Sequence, residues 1–198
     1  MSAPSRTALL ALHYQNDVLH ADGRIRVGLT ADSPLRQQVI AAAGRLLAQA
    51  RARGVPVVHV RVGYRPDYAD LLTNAPILRN VQRIGAMQAG SWGADFYEGL
   101  EPLPQEFEVH HTRINAFFGS QLEPVVRRLG ADRLVVAGVA THSVVESTVR
   151  HAVDMGFEVA VAATACAAPP GTHEASLASM GLIAHIDQQE DWDTVFGG

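Results

Sequence analysis

The chain has 198 residues, 47% hydrophobic and 18% charged, a balance that fits one globular domain spanning residues 1–198. Net charge is -4 and the arginines are scattered, so the sequence carries no electrostatic footprint for nucleic acid or for anionic lipid. The single cysteine, Cys166, excludes an intramolecular disulfide and suits a reducing compartment.

Polar Met1–Arg6 followed by apolar Thr7–Leu12 is too short for a signal-peptide core with its cleavage site. No apolar run approaches the roughly 18 residues of a membrane span, and the expected location is the cytoplasm. Thr7–Leu12 reads as a strand apolar on both faces. Ser33-Pro34 opens a helix, because serine can cap free amides and proline suits the first turn. Val39, Ile40, Ala43, Leu46, Leu47 and Ala50 keep helical spacing until Gly54 stops it. Val55–Val62 is the second strand and Glu106–His110 the third, where Phe107 and Val109 alternate with charge.

Leu122, Val125, Val126 and Leu129 mark a short helix ending at Gly130, and Arg133–Ala137 is the fourth strand. A helix over Ser143–Met155, a fifth strand at Phe157–Ala162, a helix over Thr172–Met180 and a sixth strand at Leu182–Ile186 complete the pattern. Such alternation implies a three-layer α/β/α doubly wound sheet of about six mostly parallel strands. The stretch Gly63–Pro104 breaks the rhythm, and an irregular segment that long in a compact domain is usually functional.

In open α/β sheets ligands bind beyond the carboxyl ends of the strands, where strand order reverses. Three polar bursts stand there: His13-Tyr14-Gln15-Asn16-Asp17, His110-His111-Thr112-Arg113-Ile114-Asn115, and Gly138-Val139-Ala140-Thr141-His142-Ser143. Each burst also has a structural reading. His13 can be a hydrogen-bonding plug, Gln15-Asn16-Asp17 can hold a turn, and Thr141 or Ser143 can cap a helix. Alternation along a strand leaves at most one of His110 and His111 facing the site. Cys166 reads as a small buried hydrophobe.

At these residues the chain resembles the isochorismatase-like hydrolases. Ala8–Asp17 is similar to a strand followed by Asp-x-Gln-Asn-Asp, and Val109–Phe117 to a Lys-x-Arg-Tyr-Ser-Ala-Phe segment. Gly138–Thr148 resembles Gly-Val-Ala-Thr-x-x-Cys-Val-Glu-Ser-Thr, and Asp154–Phe157, Ala163–Cys166 and His173–Ala175 fit the later pattern. The resemblance implies a small-molecule substrate, a homo-oligomer and a cis peptide at Val139-Ala140. It also implies a catalytic aspartate, lysine and cysteine, but His13, His111 and Val144 stand at those positions. Valine cannot form a thioester, so cysteine amidase chemistry by the family's route is excluded. The Asp-x-His metal pattern after the second strand is missing, and no metal or other cofactor is expected.

The reading that results is a hydrolase of a small polar metabolite in which His13 and His111 act as base and acid, or the reverse. Substrate contacts are expected from Tyr14, Gln15, Arg113, Asn115, Phe117, Val139, Ala140, Thr141, His142, Ser143 and Val144, with Tyr14 and Phe117 as aromatic walls. Two alternatives remain open at this level: an inactive small-molecule-binding relative, and a metal site built from His13, His111 and His142.

Overall fold

The computed structural model describes residues 6–197. Residues 1–5 of the polar start, and Gly198, lie outside the described residues. The described elements run β1 (Thr7–Leu12), α1 (Asn16–Leu19), α2 (Pro34–Ala52), β2 (Val57–Val62), α3 (Pro76–Arg83), β3 (Phe107–His111), α4 (Leu122–Arg128), β4 (Arg133–Gly138), α5 (Glu146–Asp154), β5 (Glu158–Ala162), α6 (Thr172–Met180), β6 (His185–Asp187) and α7 (Trp192–Phe196). One six-stranded sheet has the order β3-β2-β1-β4-β5-β6. Every pairing is parallel.

This architecture follows from the composition of the strands. All of β4 and all but the first residue of β1 are buried. Such strands need cover on both faces, which only helical crossovers supply in a parallel sheet. α5 packs on α6 and on β5, while α2 packs on β2. Arg53 near the end of α2 reaches Asp193 of α7 at 2.8 Å. The strand order reverses between β1 and β4, which places the crevice of an open α/β sheet at the exits of these two strands. The exits approach closely: Leu12 pairs with Gly138, and a Cβ on Gly138 would run into the carbonyl oxygen of Leu12.

Several boundaries depart from the sequence reading for local reasons. β2 starts at Val57 because Pro56 has no N–H to give the ladder, and the Val55 amide closes α2 by bonding Ala50 O. Ser33 sits before α2, yet its side chain makes no capping bond. The last strand is His185–Asp187, because Leu182 and Ile183 occupy the turn after α6, with Leu182 87% exposed. The helix expected from Ser143 is instead a wide π turn, Thr141–Val145, leading into α5. α3, within the segment read as irregular, opens with Pro76 in its first turn and buries Leu78 and Val81. No helix among the described residues is long and apolar enough to cross a membrane.

Candidate active site

β1 ends where His13 takes a left-handed conformation, φ 58°. This region is open to few non-glycine residues, histidine among the more frequent. It turns the chain out of the sheet, and Gln15 N closes a tight turn on His13 O at 2.8 Å. The three polar residues that follow hold the surrounding loops. The Gln15 side chain donates to Val62 O and Ala94 O and accepts from Val62 N, so it seals the exit of β2. Asn16 Nδ2 donates to Trp92 O, and the buried Asp17 carboxylate accepts from the amides of Arg24 and Met87. The turn-holding reading of these residues describes their contacts, and they fix two segments that cover the site.

His13 and His111 meet across the exit of β2, with Nε2 to Nε2 at 2.6 Å and ring centroids at 4.8 Å. Alternation sends the neighbouring His110 elsewhere, its Nε2 lying 2.9 Å from Gly63 O. Burial pushes both rings of the pair toward the neutral form. His13 is held well below the ordinary histidine range by desolvation and by His111, and desolvation brings His111 down to about 4.

The hydrogen-bond network then assigns the protons. The carbonyl of Asn115 can only accept, so His111 Nδ1, 3.2 Å away, carries its proton. His111 Nε2 is therefore bare and accepts from His13 Nε2–H. That leaves a lone pair on His13 Nδ1, which has no partner among the described residues and is not a solvent-shielded orphan.

A cavity of about 290 Å³ opens beside this histidine. His13, Arg113, Val139, Ala140, His142 and Ser143 line it. The Val139–Ala140 peptide is cis. The Ala140 amide donates to no acceptor among the described residues, and the Ser143 hydroxyl, half-buried, likewise stands free there. Together they offer two donors to a developing oxyanion. Ser143 makes no bond to an imidazole, so nothing activates it as a nucleophile.

The other expected contacts lie outside the cavity wall. His111 is 2% exposed and sits behind His13. Tyr14 and Phe117 do not form aromatic walls. Tyr14 is buried and donates its hydroxyl to Ala165 O at 2.7 Å, while Phe117 stacks on His151 and Phe157. Asn115 binds Ser147 O and the amides of Phe117 and Phe118, and so ties the exit of β3 to α5. Thr141 bonds His173 Nδ1 at 2.8 Å, and Val144 is packed in the core. Cys166 is buried too, and desolvation pushes its thiol up to about 12. Among the described residues no group of three His, Cys, Asp or Glu converges as a metal site, and His142 joins neither partner of the histidine pair.

The sequence reading missed most of the wall. Val18, Ile25, Val27, Pro169 and Ile114 contribute, as do Tyr64, Ile77, Leu78, Asn80, Val81 and Met87 from the irregular segment. Tyr64 was legible by the same rule as the other bursts, since Val62-Gly63-Tyr64 also leaves a strand tip. Burial raises its phenol to about 12, so it stays a hydrogen-bond donor.

Comparison with known proteins identifies the family. An isochorismatase domain profile matches residues 7–190. An isochorismatase family protein of Escherichia coli, YecD, is 33% identical over 162 residues, covering 82% of this chain and 80% of that protein. The ureidoacrylate amidohydrolase RutB of Pseudomonas syringae is 28% identical, covering 98% and 84%. The crystal structure of an isochorismatase family protein from Desulfovibrio vulgaris superposes with a TM-score of 0.79 at 28% identity, covering 92% of this chain and 94% of that one. In profile, sequence and fold alike, the chain belongs to the isochorismatase family.

Proposed function

We propose that this family member is a hydrolase of a small molecule that activates water with a histidine pair and uses no cysteine nucleophile. The observation that carries the proposal is the 2.6 Å contact between His13 and His111 at the floor of the cavity. Val144 stands at the family's cysteine position by resemblance, and the one thiol of the chain is buried and held in its protonated form.

With burial pushing both rings toward the neutral form, this reading gives the pair one base and one supporting residue in place of the base and acid expected from sequence. His13 is the base and His111 the residue that orients it and spreads its charge. A water oxygen bonds to the substrate carbonyl carbon while His13 Nδ1 takes the water proton. The carbonyl π pair moves onto oxygen, which Ala140 N–H and Ser143 O–H receive. As His13 charges, its Nε2 proton can pass to His111 Nε2, and Asn115 O holds the far side of the resulting imidazolium. The tetrahedral intermediate collapses by breaking the bond to the leaving group, which recovers the proton from His13. The products are an acid and an alcohol or amine, and the pair returns neutral.

The test is a panel of small esters, amides, ureas and enol ethers run on wild type, His13→Ala and Cys166→Ala. Turnover is expected to fall by about 10²–10⁴ in His13→Ala and to persist in Cys166→Ala. Turnover that survives loss of His13, or that disappears with Cys166, overturns the proposal. A second reading, a binding relative without chemistry, draws on the weak basicity that burial imposes on the pair. Compounds that raise Tm across the panel with no turnover would favour it.

A further inference from the structure

We propose, resting on the reading of this cavity as the substrate pocket, that it selects a compact apolar body carrying one carboxylate, and that Arg113 receives the carboxylate. This changes the expectation of a polar metabolite. The walls are largely aliphatic, from Val18, Ile25, Val62, Leu78, Val81 and Ile114, and among the described residues no aspartate or glutamate lines the cavity. Aliphatic walls reward an apolar body by removing its surface from water, and they do nothing for a ureido or sugar-like one.

Arg113 brings the one guanidinium among the lining residues. It is half-buried and makes no ion pair among the described residues, while its Nη1 is fixed by Thr112 O and Thr112 Oγ1 at 2.9 Å each and by Asp70 O at 3.3 Å. These bonds hold one corner of the guanidinium in place. Its Nε and Nη2 have no partner among the described residues and are not solvent-shielded orphans. A guanidinium with Nε and Nη2 unclaimed is a ready fork for the two oxygens of a carboxylate. The Tyr64 phenol, also without a hydrogen-bond partner among the described residues, lines the same cavity, where burial raises it and the charges of Arg113 and Asp70 act on it in opposite directions. A half-buried cation among aliphatic side chains, in no ion pair with the described residues, is satisfied by an anionic ligand and poorly by a neutral one.

Two matched pairs test this. Benzoate against benzamide reads binding by calorimetry, and a monomethyl ester of a short dicarboxylic acid against its dimethyl ester reads kcat/KM. Wild type is expected to prefer the carboxylate member of each pair about tenfold or more. Arg113→Gln should erase the preference and Arg113→Lys should keep part of it. If Arg113→Gln fails to fold, the lysine variant carries the comparison, with a preference smaller than that of wild type expected because the charge stays and the fork is gone, and an undiminished preference overturning the inference.

His13→Ala should keep the benzoate preference while losing ester turnover. Benzoate bound preferentially by wild type and His13→Ala, with no ester hydrolysed, would leave this inference standing and bring down only the hydrolytic reading. Esters hydrolysed without charge preference would bring down only this inference. Equal binding of acid and amide, no binding of either, or a preference that persists in Arg113→Gln would overturn it.

Discussion

Acidification should weaken the fold through the histidine pair. His111 falls from an ordinary 6.5 to about 4 in the folded protein, chiefly by desolvation, so the unfolded chain takes up its proton first. Between those values the unfolded state binds more protons than the folded one, and stability is lost as pH drops. From pH 7 to pH 5 the difference for His111 alone is about 2 kcal/mol. In a domain of this size that lowers Tm by about 4–8 °C. His13 shifts in the same direction, by desolvation and by the charge His111 would carry. The perturbation that isolates the effect is His111→Gln, whose amide oxygen can still accept from His13 Nε2–H but cannot titrate. Tm is measured from pH 5 to 8 by calorimetry for both proteins. Contributions from other groups, such as His59 and His173, are common to both and cancel in the difference. Wild type should lose several degrees more than the variant between pH 7 and 5. Parallel curves, or a wild type that gains stability on acidification, would refute the buried neutral pair.

Two further outcomes follow from the placement of side chains. Tyr14→Phe removes a hydroxyl bonded to Ala165 O in the interior, and urea unfolding should show a loss of about 1–3 kcal/mol with KM unchanged. Cys166 is 2% exposed with its thiol pushed up to about 12, so iodoacetamide should label it only after denaturation and leave native activity intact.

The sheet was legible because its strands state their surroundings. Leu9, Leu10 and Leu12 beside Ala8 and Ala11 leave no polar face, which only a doubly covered parallel strand accepts. The three polar bursts were legible as strand exits, and two of them supply the histidine pair. Side-chain direction at those exits was not. Tyr14 points inward because His13 turns left-handed and the chain closes on itself at Gln15, a geometry no periodicity announces. Phe117 follows Asn115, whose side chain bonds the Phe117 amide and thereby folds the segment against α5. α3 escaped notice because it is short and only Leu78 and Val81 are buried, while apolar Ile77 is exposed and blurs the helical pattern. The push of the pair toward the neutral form was equally unreadable, since free histidine titrates near 6.5 and it is chiefly burial that moves it.

The account turns on His13 acting as a neutral base held by His111, and the pH dependence of kcat/KM reads this most directly. With any ester or amide that the wild type hydrolyses, the rate should stay level through neutrality and fall on the acid side alone. The apparent pKa of that limb should lie below the roughly 6.5 of free histidine, and the limb should vanish with the activity in His13→Ala. A bell-shaped profile whose alkaline limb falls near neutrality would mean that a protonated histidine is required, and it would contradict the account. So would a His13→Ala profile that superposes on the wild type.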